Sequence, residues 1–450
     1  MTRRLTGTAA FFLPLLLALC LDEWVSADDS KLLTLRGRTM GTTYMVKIFE
    51  PPGDQEFAER TAASIELELR RVNDQMSTYL QSSEISRFNA SKSTDWFSVS
   101  EEVAEVVEFA QEVSRQTHGA FDVTVGPLVN RWSFGSEARR HDVPTDQELN
   151  ELGESIGYQN LSVRANPPAI RKSRPSLQID LSAIAKGHAV DRVLDRLQDP
   201  SRGEPVLRNV FVEIGGEVGV IGSKGPKAWN VGIQRPDVFA NEVLVAHELR
   251  DAAMATSGDY RNTFEVDGVR YSHTIDPTTR RPVVHDVASV TVIADSCMAA
   301  DAWATSFNVL GLAKSRPIVE RLGMTVLVIE RTEKGFQLTG TGDLKTIAES
   351  MSEQGSNATS MPGSSTAAAT FARQMLPVAI MTLVGLSAIL IAMAVGVIFG
   401  RKSISGSCGG LNAQTDPNGR SRCSLCSNPS DACKELREKV GKENPADVFA

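Results

Sequence analysis

Apolar residues recur at helical spacing in two long stretches of the chain. Across residues 56–79 they fall at Ala62, Ile65, Leu69, Val72 and Met76, and across 101–117 at Val103, Val106, Val107, Ala110 and Val113. Each pattern predicts an amphipathic helix with one buried face. Runs rich in β-branched residues predict strands over 44–49, 210–214, 287–294 and 325–330. Helices and strands come in groups instead of alternating strictly. That grouping predicts an α+β fold with a largely antiparallel sheet between Ser30 and Ala348. Residues 350–373, rich in Ser, Thr, Gly and Ala, read as a flexible linker.

Two further apolar runs have a different character. Residues 11–21 follow Arg3 and Arg4 and precede Val25-Ser26-Ala27, the layout of an export signal (1–27) cleaved before Asp28. Lipidation at Cys20 is disfavoured by Leu19, which stands where processing needs a small residue; retention as an uncleaved anchor stays open. Leu5-Thr6-Gly7 is a poor continuation of a twin-arginine signal. The second run, 376–399, is almost wholly apolar, and no charge occurs from 374 to 400. At ~1.5 Å per residue it is long enough for the roughly 30 Å of bilayer hydrocarbon, which predicts one transmembrane helix over 375–400. Pro377 falls in its first turn, where a missing N–H costs little. Arg401 and Lys402 on one side outweigh Arg373 on the other, so the tail 401–450 is expected in the cytoplasm. The domain over 28–349 is then expected outside, in the periplasm of a bacterial inner-membrane protein.

Composition narrows the classes. With 450 residues, 42% of them hydrophobic, the chain can bury a sizeable core. Lys plus Arg number 47 against 55 Asp plus Glu, a net charge of −8 that excludes a general nucleic-acid binder. Six cysteines are too few for a disulfide framework. Cys20 and Cys297 stand alone, and Cys297 reads as a small buried residue. Cys408, Cys423, Cys426 and Cys433 cluster in the tail, and in a reducing compartment they suggest a soft-metal site, zinc or iron–sulfur, over disulfides.

Three segments carry candidate chemistry. Asp180 and Lys186 lie in Ile179-Asp180-Leu181-Ser182-Ala183-Ile184-Ala185-Lys186-Gly187, read as a strand running into a helix start. An ammonium beside helix N-terminal N–H groups suits a phosphate; an N-cap aspartate and a solvated lysine are the structural alternative. His273, in Tyr271-Ser272-His273-Thr274-Ile275-Asp276-Pro277, titrates near neutrality and can take a proton from a hydroxyl, although lone histidines are more often structural. Asp301 and Thr305 are four apart; if their segment is helical, one face presents a carboxylate and a hydroxyl together, hard oxygen ligands of the kind Mg²⁺ prefers. Alternatively, Thr305 bonds back to the carbonyl of Asp301.

Taken in order, the motifs resemble the ApbE family of FAD:protein FMN transferases. They are Gly37-Arg38-Thr39-Met40-Gly41-Thr42-Thr43-Tyr44; Ser77-Thr78-Tyr79 with Ser83-Glu84-Ile85-Ser86-Arg87-Phe88-Asn89; and Gly119-Ala120-Phe121-Asp122-Val123-Thr124-Val125-Gly126-Pro127-Leu128. The 180–187 segment, Val212-Glu213-Ile214-Gly215-Gly216-Glu217, Ala255-Thr256-Ser257-Gly258-Asp259-Tyr260-Arg261, His273–Pro277 and Ala300–Thr305 complete the series, which covers about residues 35–345. The resemblance implies a T-fold-like α+β domain with an FAD cleft at Met40, Tyr79, Ala120, Phe121, Asp122, Asp180, Lys186 and Ile275. It implies Mg²⁺ held by the carbonyl of Ala183 and the side chains of Asp301 and Thr305. In the reaction it implies, a client threonine attacks the FMN-side phosphorus of FAD and AMP leaves; we take His273 as the acceptor of the threonine proton, and His273 and Asp301 as the catalytic candidates. Three positions depart from the family. Arg280 stands where a glycine is usual, so a turn that wants φ > 0 must accept an arginine. Ala304 replaces an acidic residue of some members, and His188 an aromatic one.

A membrane helix running through Phe399-Gly400-Arg401-Lys402 to Ser407-Cys408-Gly409-Gly410-Leu411-Asn412 resembles NqrM, a maturation factor of the sodium-translocating NADH:quinone oxidoreductase. This likeness covers about residues 375–435 and implies assistance to an iron centre, with Cys408 the foremost thiolate. Together the two resemblances imply one client, a membrane oxidoreductase whose subunits carry FMN on threonines. An FAD pyrophosphatase releasing FMN and AMP to water, or a non-catalytic flavin carrier, are the alternatives for the exported domain.

Overall fold

The computed structural model describes residues 31–358, apart from Asp54, His141, 238–241, Arg261 and Lys334, together with a short antiparallel pair, Gln414–Thr415 with Ser421–Arg422. The chain divides into two units, Met1–Ser360 and Met361–Ala450. The expected export signal, the membrane span over 375–400 and the tail cysteines Cys408, Cys423, Cys426 and Cys433 lie outside the described residues. Among the described residues no helix is long and apolar enough to cross a membrane.

The first unit opens with the hairpin β1 (Leu32–Thr39) and β2 (Thr42–Phe49), then α1 (Gln55–Met76), α2 (Glu84–Ala90), β3 (Phe97–Ser98) and α3 (Glu101–Gln116). Short helices α4 (Gly126–Arg131) and α5 (Asp146–Gly153) precede β4 (Leu161–Arg164) and β5 (Ala169–Lys172), which form a small sheet with β3. Helix α6 (Ala185–Gln198) leads into β6 (Val210–Ile214), β7 (Glu217–Ile221), β8 (Trp229–Gln234), β9 (Val243–Leu249) and β10 (Ala252–Gly258). Two small hairpins follow, β11 (Thr263–Val266) with β12 (Val269–Ser272) and β13 (Ile275–Asp276) with β14 (Arg281–Pro282). Strand β15 (Val287–Ala294), helix α7 (Cys297–Leu322), strands β16 (Thr325–Thr332) and β17 (Gly335–Gly340), and helix α8 (Lys345–Ala358) complete it.

Eight strands form the central sheet in the order β1-β2-β6-β7-β10-β15-β16-β17, each neighbouring pair antiparallel. The mixed α and β architecture with antiparallel sheets expected from the sequence is what forms. Its middle strands are buried on both faces, and the two-residue period sorts their side chains between two cores. On β6, Val210, Val212 and Ile214 join the core under the helices, whereas Phe211 joins the core shared with the β8–β9 ribbon and α8. On β16, Val326 and Val328 face the helices, and Leu327 and Ile329 the opposite core.

Helix α1 buries Phe57, Thr61, Ile65, Leu69, Val72 and Met76, the predicted stripe extended by a turn at its start. It stops three residues short of the expected end because the hydroxyl of Ser77 accepts from the backbone N–H groups of Tyr79 and Leu80 (both 3.2 Å), turning the chain. Helix α3 starts at a Ser100 cap. Two expectations need correction. The stretch before Ala183 is not a strand: it has no ladder partner among the described residues, and Ile179 is instead clamped by Asn89, whose amide donates to the Ile179 carbonyl and accepts from its N–H (both 2.8 Å). The segment read as a linker begins helical, since α8 runs to Ala358; Ile347, Ala348 and Met351 pack one face of it against the sheet.

Candidate active site

Two helices begin side by side at one end of the sheet and hold each other by their first turns. A Cβ on Gly187, in the first turn of α6, would stand 2.3 Å from the carbonyl oxygen of Cys297 and 2.8 Å from the Cβ of Asp301, so only glycine permits this approach. The Gly187 N–H donates to the Asp301 carboxylate at 3.0 Å. One turn along α6, the Asp191 carboxylate accepts from the backbone N–H groups of Cys297 (2.7 Å) and Met298 (2.8 Å), capping α7. Ser296 caps the same helix through Ala299. Asp301 is thereby fixed 5% exposed, and burial pushes its carboxyl up to about 7; the Lys186 ammonium pulls it down and Glu217 pushes it further up.

Beside this junction lies a cleft of about 290 Å³. Asp301 and Thr305 from α7 and Ala183, Ser182 and Lys186 from the start of α6 form one wall. Glu217, at the head of β7, accepts a hydrogen bond from Lys186 on that wall. Asp180 turns the chain into this region: its Oδ1 accepts from Ser182 N–H at 2.8 Å, and its own N–H donates to the Val123 carbonyl at 2.7 Å. The alternative of an aspartate cap on α6 does not hold, because Ile184 occupies the cap position without a side-chain bond.

The second wall comes from residues 120–125. Ala120, Phe121 and Asp122 line the cleft. The Asp122 carboxylate is committed to the protein, accepting from Thr124 N–H (2.8 Å), Thr124 Oγ1 (2.7 Å) and Tyr158 N–H (2.8 Å). It shapes the loop, and burial raises its carboxyl against those bonds. Tyr79 also lines the cleft, although it is 71% exposed.

His273 and Ile275 complete the lining. His273 follows β12, its N–H bonded to the Asn262 carbonyl at 3.0 Å and its ring edge-on to Phe134. An aromatic group behind it, Phe134 against Phe264, Phe264 stacked on Tyr271 and Tyr271 on Trp132, gives this short segment a rigid backing. Arg280 does adopt the left-handed conformation foreseen for its turn (φ 62°), its carbonyl held by the Trp132 indole N–H at 3.0 Å and its guanidinium by Asn150.

The cleft thus gathers Tyr79, Ala120, Phe121, Asp122, Asp180 and Ala183, and with them Lys186, His273, Ile275, Asp301 and Thr305. Met40 is placed elsewhere, in the β1–β2 turn (φ 49°), packed against the main core. Glu217, Thr256 and Ser257, which stand in the quoted motifs without an assigned role, and Asn262, which stands in none, also line the cleft. Glu217 had a signal: Gly215-Gly216 forms a two-residue turn that puts the next residue at the sheet's end. Cys297 is fully buried and burial pushes its thiol up, as suits a packing residue.

The ApbE family model matches residues 40–328. The chain belongs to the ApbE family. Among curated relatives, the FAD:protein FMN transferase of Vibrio cholerae is 46% identical over 304 residues, 67% of this chain and 89% of that protein. The Haemophilus influenzae protein of the same name is 36% identical over 354 residues, 78% of this chain and 99% of its own length. Among solved structures, the flavin transferase ApbE from Vibrio cholerae superposes with a TM-score of 0.63 at 44% identity, covering 70% of this chain and 98% of that one. The apo flavinyl transferase ApbE of Pseudomonas stutzeri gives 0.61 at 35% identity, covering 69% and 95%. This ApbE-family domain therefore accounts for the described unit nearly in full, and the segment after Ala358 lies beyond the family match.

Proposed function

We infer that this ApbE-family chain is an FAD:protein FMN transferase that moves FMN from FAD to a threonine hydroxyl of a client protein. The observation that carries the reading is the convergence of Ala183, Lys186, Asp301, Thr305 and His273 on one cleft, in a chain whose curated relatives bear that name. FAD binds with its pyrophosphate beside Lys186 and the first turn of α6, where an ammonium and N-terminal N–H groups favour negative charge. A bond forms between the threonine Oγ and the FMN-side phosphorus, the bridging P–O bond breaks, and AMP leaves. His273 takes the hydroxyl proton as the bond forms.

Among the described residues no group of three or more His, Cys, Asp or Glu side chains makes a metal site. The donors offered by Ala183, Asp301 and Thr305 are of another kind: a carbonyl, a carboxylate and a hydroxyl, all hard oxygens, which fit Mg²⁺ and fit softer metals poorly. Bound by these three, magnesium supplies positive charge against the pyrophosphate. The chain's own work is positioning: Gly187 orients the Asp301 carboxylate, and Asn89 and Val123 hold the Asp180 segment beneath it.

The proposal extends to the whole chain. An export signal, a membrane span over 375–400 and an NqrM-like tail with Cys408, Cys423, Cys426 and Cys433 place the transferase in the periplasm of a bacterial inner membrane. They make the sodium-translocating NADH:quinone oxidoreductase its client, with the tail serving that complex's iron centre. The support for this part is the sequence alone.

The test is to incubate the full chain with FAD, Mg²⁺ and a client bearing an acceptor threonine. A mass gain on the client equal to FMN, with equimolar AMP, is expected. FMN released to water with no client modification would replace this reading with FAD pyrophosphatase.

A further inference from the structure

Lys186 and Glu217 meet because two periodicities match. Lys186, Val190 and Leu194 recur every four residues on one face of α6, and Glu217 and Gly219 share one face of β7. Four helical residues advance ~6 Å and two strand residues ~6.6 Å, so the two rows stay in step. Gly219 sets the spacing: a Cβ there would stand 2.7 Å from both Val190 and Leu194. One turn earlier on α6 and two residues earlier on β7, the Lys186 ammonium donates to Glu217 Oε1.

Glu217 is 4% exposed, and its second oxygen, Oε2, is buried with no hydrogen-bond partner among the described residues. Leaving half of a buried carboxylate unsatisfied is costly, and a lysine alone does not offset it in full. Such an arrangement adds little to the fold. It does hold a cation in a defined place on the cleft wall, beside Asp301.

We propose that Glu217 is a positioning residue for FMN transfer: it anchors the Lys186 ammonium on the cleft wall, and the FAD pyrophosphate competes with it for that ammonium. This rests on the transferase reading and adds to it a residue that acts through Lys186. Glu217 touches no reacting atom; it fixes where the charge stands when the phosphoanhydride breaks.

The test is a double-mutant cycle in the full chain with E217Q, K186M and the double variant, plus E217D as the conservative control. FAD affinity is read by flavin fluorescence titration, transfer rate by single-turnover modification of the client, and fold by thermal unfolding. In the native background, E217Q is expected to tighten FAD binding by about threefold or more and to slow transfer by about tenfold, a split that loss of structure does not produce. In the K186M background both effects are expected to vanish, and E217D to recover part of the rate because it keeps the charge. If E217Q tightens FAD equally in both backgrounds, Glu217 repels the pyrophosphate directly and the proposal is overturned. It is also overturned if E217Q leaves native FAD affinity and rate unchanged. A native chain that binds FAD but modifies no client would sink the transferase reading, while the affinity cycle would still decide whether Glu217 acts through Lys186.

Discussion

The Asp191 carboxylate reaches across from α6 to the backbone N–H of Cys297 at 2.7 Å, and so serves as the first-turn cap of α7. The contact is returned within one turn. Gly187, four residues before Asp191, sends its N–H to Asp301, four residues after Cys297. Each helix start is satisfied by a carboxylate of the other, so N-terminal N–H groups that a helix leaves unpaired are met at this crossing by protein rather than water. The geometry of Asp301 is therefore a property of the junction, and changes at Asp191 travel to the cleft.

Replacing Asp191 tests that link. D191A removes both bonds to α7, and by the usual cost of losing a helix cap stability is expected to fall by about 1–2 kcal/mol in urea unfolding. Transfer should fall further than stability explains, because Asp301 loses its fixed position. D191N, which keeps one acceptor oxygen, should recover part of both. A D191A chain with full activity would separate the cap from the cleft.

Gly187 gives a steric test of the same junction. The methyl of G187A would meet the Cys297 carbonyl oxygen at 2.3 Å, and backbone on both sides leaves no flexible neighbour to yield. The helix starts must part, at a cost of about 1–3 kcal/mol. FAD binding and transfer should both drop, measured by titration and client modification at a temperature where the variant is still folded.

Much of this was legible in the chain. The stripe of Ile65, Leu69 and Val72 announced α1, and the condition on which Asp301 and Thr305 share a face, that their segment be helical, is met by α7. Local rules failed where a partner distant in sequence decides. Ile179 was expected in a strand, yet Asn89, ninety positions earlier, supplies the pairing that a strand neighbour would have given. Met40 lies in the β1–β2 turn against the core and is not among the residues that line the cleft, since sequence order does not tell which side of a hairpin faces a cleft. Glu217 stood in a motif but received no role, because its meaning depends on Lys186, thirty-one positions away and on another element.

The oxygen donors of the cleft predict a graded response to substitution. D301N removes the charge and D301A the whole carboxylate of the proposed magnesium site; client modification should fall by about 10²-fold or more in D301A, as for loss of a major electrostatic contact. T305A removes a neutral hydroxyl and should cost less, with activity partly restored by raising Mg²⁺. Chelation with EDTA should stop transfer in the native chain, and excess Mg²⁺ should restore it. Transfer that persists after exhaustive chelation would remove magnesium from the reading.

His188 predicts a pH effect on stability whose sign can be worked out. It is 3% exposed, its Nε2 is buried without a partner among the described residues, and burial, with Arg192 adding to it, depresses its pKa from 6.5 to about 4. As pH falls below 6.5 the unfolded chain takes up a proton that the folded chain refuses until about 4, so the folded state loses stability across that window. Between pH 7 and 5 this loss is roughly 2 kcal/mol. Asp191 works in the opposite direction: burial raises its carboxyl to about 6, so the folded state binds a proton first and gains stability over part of the same range. Asp301, whose carboxyl burial also raises, acts in the same direction as Asp191, so the native chain's own pH dependence is a sum of opposing contributions and does not isolate His188. H188F removes the first contribution alone, and relative to the native chain it should gain roughly 2 kcal/mol on acidification from pH 7 to 5, read from urea midpoints at the two pH values. Parallel pH dependences for the two chains would mean that His188 titrates in the fold as it does in the unfolded chain, with Glu102, the neighbouring acid that favours its charge, balancing burial.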